Sequence, residues 1–184
     1  MQIEPTLLND CFIVFPKVFH DRRGSFFESF NQQGFERATG LEIDFVQDNQ
    51  SISKRGSLRG LHLQTGAMAQ SKLIRVVQGR VWDVVVDLRP RSSTFKEHFT
   101  VELNQDNNYQ LFVPKGFAHG FVTLSEEAIF AYKCDNYYDK QSEAGIIYND
   151  PDLNIDWKLP EDDLVLSDKD KQLPTLKEFL KWKK

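Results

Sequence analysis

The segment RVWDVVVDLRP, residues 80–90, constrains the fold more than any other stretch of the chain, because its polar and apolar residues alternate in twos. Trp82, Val84, Val86 and Leu88 fall on one side and Asp83 and Asp87 on the other, the period of a strand and not of a helix. After a turn at PRSS the alternation resumes, with Phe95, Phe99, Val101 and Leu103 on one face and Lys96, His98, Thr100 and Glu102 opposite, so His98 is expected to meet solvent. Further short strands are predicted from Tyr109 to Val113, Gly120 to Thr123 and Ala128 to Asp135, separated by PKG and SEE punctuation. Strands so closely spaced leave no room for βαβ crossovers and predict an antiparallel sandwich or barrel.

Helical patterns are confined to the edges. Asn31 to Thr39 reads as a short helix closed by Gly40, and PTLKEFLKW as a C-terminal one, opened by Pro174 with Leu176, Phe179 and Leu180 at helical spacing. No repeat or linker divides the chain, so residues 1–184 are expected to form a single, mainly β domain. The absence of a signal-like start and of any long apolar run predicts a cytoplasmic protein outside the membrane, and a net charge of −4 argues against binding nucleic acid through a general basic surface. The only cysteines, Cys11 and Cys134, are far apart and are expected to be small core residues.

Strand parity singles out polar residues that point inward. In KLIRVV, Lys72 shares a side with Ile74 and Val76. In AIFAYKCD, Tyr132 shares one with Ala128, Phe130 and Cys134, and in SLRGLHLQ, His62 shares one with Leu58, Gly60 and Gln64. Convergence on one cavity is the functional reading; a packed core tyrosine and an outward-reaching lysine are the bland ones. A second histidine, His119 in VPKGFAHGF, sits in the PxGxxH pattern by which cupin barrels hold a metal, yet their HxH pair is here His-Leu-Gln at 62–64. With His20 and His98 placed outside the cavity, His62 and His119 are too few for a nitrogen-based site, and no metal is expected, although a carboxylate-rich site stays open.

The segments PKVFHDRRGSFFESFN, FVQDNQS, LRGLHLQ, AQSKLIRVVQG, FVPKGFAHGFVTLSE, AYKCDNYY and LSDKDKQLPTL, in this order, resemble the dTDP-4-dehydrorhamnose 3,5-epimerase family along nearly the whole chain. The resemblance implies a cupin-like double-stranded β-helix, a jelly-roll barrel with short peripheral helices including one at the C-terminus. It also implies a homodimer with exchanged N-terminal strands, no cofactor, and a dTDP-linked 4-keto sugar as substrate. It makes His62 the base, Tyr132 the acid, Lys72 the cation beside the ketone oxygen, and Asp170 of the SDKD segment the partner of His62, with Asp168 the close alternative. It gives Arg23, Glu28, Gln47, Asp48, Asn49, Arg59, Lys72, His119, Glu143 and Lys169 to substrate binding, with Tyr138 closing the site or stacking on a ring.

Arg59 has the wrong parity to share a cavity with His62; a bulge at Gly60, or reach across a dimer interface, would reconcile them. Phe19 and Phe26 are expected in core packing, with stacking on the base as the alternative, and Leu63 stands where many relatives carry an aromatic, which touches the question of sugar preference. The alternatives are an epimerase acting at C3 alone or on another 4-keto nucleotide sugar, a related ketoisomerase, and a cupin-like binding module without catalysis. The presence of Tyr132 favours the double reaction.

Overall fold

The computed structural model describes residues 1–182. One antiparallel sheet runs, in spatial order, β1 (Gln2–Pro5), β2 (Phe12–Phe15), β10 (Gln110–Val113), β7 (Lys72–Gln78), β12 (Glu127–Cys134) and β5 (Gln47–Lys54). A second runs β13 (Glu143–Gly145), β6 (Leu58–Gln64), β11 (Phe117–Thr123), β8 (Arg80–Asp87) and β9 (His98–Asn104), and β3 (Val18–Asp21) pairs with β4 (Gly24–Phe27) as a separate hairpin. The two large sheets enclose a core of Ile74, Val76, Val81, Val85, Leu103, Leu111, Phe121 and Phe130. This is the mainly β barrel that the alternating patterns predict.

Each sheet is also covered on its outer face, which makes the architecture four layers deep. Helix α1 (Gln32–Thr39) packs Phe35 onto the outside of the six-stranded sheet against Phe12, Leu73 and Phe112. Its ends follow the local chemistry: Asn31 caps the start through Oδ1, accepting from the Gly34 amide at 2.8 Å, and Gly40 closes it at φ 70°. The C-terminal segment, ending in α2 (Leu176–Trp182), covers the five-stranded sheet, where Leu58, Leu61, Leu63, Val84, Val86 and Leu88 meet Ile146, Leu153, Trp157 and Phe179. Burying each such side chain is worth about 1.5–3 kcal/mol, so the C-terminal layer is a full part of the fold.

The structure bears on three sequence readings. The apolar side of β8, with Val84 and Val86, faces outward into the covering layer, and the aspartate side faces into the barrel, so Asp83 and Asp87 are both fully buried. Leu63 likewise points into the outer layer and cannot touch a ligand in the barrel. His98 on β9 lies on the face opposite Phe99, Val101 and Leu103, as read, and is half-buried there. The reading of Phe19 and Phe26 is corrected, because they pair across the exposed β3–β4 hairpin at 52% and 71% exposure and belong to no core layer. Cys11 and Cys134 are buried, as expected.

Candidate active site

The strand carrying the LRGLH motif is irregular where it matters. Between β11 and β6, His119 faces His62 and Phe121 faces Arg59, so two steps on β11 oppose three on β6. The extra residue is a bulge at Gly60, and it turns Arg59 and His62 to the same inner face. Only glycine suits this position: φ is 126°, and a Cβ would lie 2.6 Å from the Gly120 Cα. Of the two explanations for the parity conflict, the bulge is the one observed.

Both residues line a cavity of about 650 Å³ in the mouth of the barrel, with Asn49 on β5, Lys72 on β7, His119 and Phe121 on β11, Phe130 and Tyr132 on β12, and Lys169 and Asp170 on the C-terminal segment. That segment is strapped across the mouth by two backbone bonds, the Leu58 amide to the Val165 carbonyl and the Val165 amide to the Gly56 carbonyl, each 2.9 Å. The strap carries Asp170 to His62, Oδ1 lying 2.6 Å from Nε2. Asp170, not Asp168, is therefore the partner of His62. Burial pushes the Asp170 carboxyl up, but the bond and charge of His62, together with contacts to Ser167 and the Gly60 backbone, outweigh it and leave the group below its ordinary value.

Opposite this pair, burial raises the Tyr132 phenol, assisted by nearby Cys134, so the hydroxyl keeps its proton. Lys72 lies with its ammonium 5.7 Å from the Tyr132 ring centroid. Burial draws the Lys72 value down, against the pull of Cys134, Asp83 and Glu143. Arg59 donates from Nε to Ser53 Oγ at 3.1 Å, leaving its terminal nitrogens for an anion. Phe121 and Phe130 stack at 4.0 Å and give the cavity an apolar wall.

At the rim, Glu143 on β13 pairs with Lys169 at 2.6 Å and accepts from the Tyr138 hydroxyl at 2.9 Å. Gln47 bonds Asn49 at 3.1 Å and accepts from the Tyr138 amide. Three predicted binding residues stand elsewhere. Asp48 points to the outer face of its sheet and pairs with Lys133 at 2.9 Å. Arg23, in the β3–β4 hairpin, pairs with Asp21 at 2.6 Å, and Glu28 accepts from Asn31 at 3.2 Å. Neither reaches the cavity of its own chain.

Sequence reasoning missed Asp83, whose carboxylate lies 3.0 Å from His119 Nε2 at the inner end of the site. Its only signal is an aspartate within a run of valines on a strand with no exposed face. Among the described residues no group of three or more His, Cys, Asp or Glu side chains is placed to hold a metal ion, and no helix is long and apolar enough to cross a membrane.

The family model for dTDP-4-dehydrorhamnose 3,5-epimerase matches residues 5–178. The chain is 49% identical to the dTDP-4-dehydrorhamnose 3,5-epimerase of Escherichia coli K12 over 183 residues, covering 100% of this chain and 98% of that one. Among solved structures, the enzyme of that name from Elizabethkingia anophelis NUHP1 superposes with a TM-score of 0.93 at 54% identity, covering 97% of each chain. A dTDP-6-deoxy-D-glucose-3,5-epimerase from Legionella pneumophila Philadelphia 1, solved with dTDP-4-keto-L-rhamnose, superposes at 0.92 with 46% identity over 96% of this chain and 93% of that one. With its fold and nearly its full length matched in this way, the chain belongs to the dTDP-4-dehydrorhamnose 3,5-epimerase family.

Proposed function

We propose that this protein is a cytoplasmic dTDP-4-dehydrorhamnose 3,5-epimerase that converts dTDP-4-dehydro-6-deoxy-D-glucose into dTDP-4-dehydro-L-rhamnose. The observation that carries this reading is the convergence of the His62–Asp170 pair, Lys72 and Tyr132 on one cavity. The C4 ketone acidifies the hydrogens on C3 and C5, so a base can take either proton and leave an enolate, and return of a proton to the opposite face inverts the carbon. The reaction is redox-neutral.

Each group has a part that its surroundings suit. His62, half-buried and held by Asp170, takes the proton, and the carboxylate stabilises the imidazolium that results. Lys72 places a cation at the C4 oxygen as it becomes negative. Tyr132, a phenol whose buried setting keeps it protonated, returns a proton from the other face. The Phe121–Phe130 wall offers an apolar surface to the C6 methyl, while Arg59, Asn49, His119 and Lys169 are assigned to the nucleotide diphosphate end. Glu143, Gln47 and Tyr138 close the rim.

Arg23 and Glu28 complete the assignment only if the chain works as a homodimer, with the hairpin of one copy reaching the site of the other; Asp48, on β5 and paired with Lys133, is not carried by that hairpin. The exposed Phe19 and Phe26 on that hairpin support this arrangement. Light scattering on the eluted protein tests it: a mass near twice 21.4 kDa is expected, and a monomer with full activity rejects it.

The function is tested by proton NMR of chelator-treated protein with dTDP-4-keto-6-deoxyglucose in deuterium oxide. Loss of both the C3 and C5 signals is expected, with the L-rhamnose configuration after reduction. In Tyr132→Phe the initial abstraction survives and correct protonation at C5 is impaired. Loss at C3 alone indicates a single epimerase, and no loss at either carbon rejects the reading.

A further inference from the structure

The inner end of the cavity holds a second histidine–aspartate pair whose carboxylate carries none of the roles assigned above. Asp83 on β8 is fully buried, and His119 on the neighbouring β11 is 8% exposed. Both carboxylate oxygens lie within bonding distance of His119 Nε2, at 3.0 and 3.2 Å. The His119 ring is fixed a second time by stacking on Phe130, with centroids 5.9 Å apart and planes 17° from parallel. A ring held at Nε2 by a carboxylate is a donor there, which leaves Nδ1 as its only nitrogen for a ligand. Lys72 lies close enough to interact electrostatically with the same carboxylate.

A fully buried carboxylate adds little to stability, since its desolvation commonly cancels the attraction of its partners and an uncharged replacement is often neutral or stabilising. The Asp83 carboxylate sits in a barrel lined by Val81, Val85, Ile74 and Phe130, where an apolar residue would pack at no such cost. What its placement does provide is control over two cavity side chains at once.

We propose that Asp83 is a positioning residue for the sugar-nucleotide site: it fixes the His119 tautomer with the proton on Nε2, presents Nδ1 to the substrate, and supplies the countercharge that keeps the enclosed Lys72 cationic beside the developing enolate. This rests on the epimerase reading for its consequence in turnover, but the tautomer itself is observable without substrate. Other titratable groups face His119 and Lys72. His62 is the cross-strand neighbour of His119. Cys134 on β12 and Glu143 on β13 act on Lys72, and Tyr132 lies against it. Cys11, in the loop before β2, interacts with Asp83 itself. Of these, Asp83 alone is a carboxylate in contact with His119.

The test compares wild type with Asp83→Asn and Asp83→Glu in the full-length protein. In nitrogen-15 spectra of labelled histidine without ligand, wild-type His119 is expected as the Nε2–H tautomer, assigned by its loss in His119→Gln. Asp83→Asn, which can offer the ring either an amide oxygen or an amide N–H, is expected to give a mixed or reversed tautomer. Its KM should rise as His119 loses its fixed tautomer, and its kcat should fall about tenfold to a hundredfold as Lys72 loses its countercharge, with a melting temperature equal to or above wild type. The basic limb of its pH–rate profile should move to lower pH as Lys72 loses its countercharge, and Asp83→Glu should restore the tautomer and part of kcat. An unchanged His119 tautomer in Asp83→Asn overturns the proposal. So does a kcat loss that merely tracks a fall in melting temperature with the pH profile unmoved. A wild-type protein inert toward the keto sugar, yet with the expected tautomer switch, would instead reject the epimerase reading and leave the positioning role standing.

Discussion

The two histidine–aspartate pairs of this barrel are cross-strand neighbours at His62 and His119, yet they are built in opposite ways. At the mouth, the His62 side chain is 29% exposed and its aspartate arrives on a strap more than a hundred residues later in the chain. At the inner end, His119 is 9% exposed by side chain and its aspartate comes from the adjoining strand. The carboxyls respond differently: bonds to His62, Ser167 and the Gly60 backbone overcome burial and hold Asp170 below its ordinary value, while burial wins at Asp83 and raises it. A pair meant to exchange protons with a ligand needs a carboxylate whose bonds keep it ionised despite burial, and a pair meant to hold geometry does not.

The largest effect should come from setting the two histidines against each other. His62→Ala is expected to lower deuterium exchange at both carbons by about a thousandfold or more, the range for loss of a general base. His119→Ala should act mainly on KM, with exchange surviving. Steady-state kinetics with exchange NMR decides it; equal and complete loss in both variants would erase the distinction between the pairs.

An acid titration gives a smaller effect with opposite signs at the two aspartates. Asp170, Asp87 and Glu143 have folded values below their ordinary 3.8, 3.8 and 4.5, so the stability they contribute is complete above those values and is lost as pH falls through the folded ones. Asp83, raised by burial, costs stability as pH rises above 3.8 and costs nothing below it. Calorimetric melting should therefore hold steady from pH 7 to about 5 and fall below about pH 4, by about 2–4 °C for each kcal/mol lost. In Asp83→Asn, the gain over wild type should be present at pH 7 and vanish in acid.

The smallest effect is reserved for the strap. Ser167 Oγ accepts from the Asp170 amide at 3.1 Å and belongs to the set that lowers its carboxyl. Ser167→Ala should cost about 1 kcal/mol of stability and raise the lower, acidic limb of the pH–rate profile, both readable by denaturant unfolding and kinetics. An unmoved acidic limb would mean that His62 alone governs Asp170.

The alternation in β8 and β9, the caps of α1 and the punctuation between later strands were readable because period and capping are local properties. So were the cavity residues Lys72 and Tyr132, since side-chain parity follows from chain order within an unbroken strand, whereas the side that His62 was read to share with Leu58 is broken by the bulge at Gly60. Asp83 was missed for want of one nonlocal fact: the C-terminal layer buries the outer face of β8, and a strand buried on both faces has no polar side to show.

The amino-acid order therefore determined the strands, the inward parity of the chemical groups and, at Gly60, a residue able to adopt φ 126°. Only the tertiary structure decided that the bulge turns Arg59 and His62 to one face, that Asp170 and not Asp168 meets His62, and that Asp83 lies against His119. Those contacts depend on sheet register and on a strap folding back over the barrel mouth, and both are set by the burial of distant surfaces, which no local window of sequence contains.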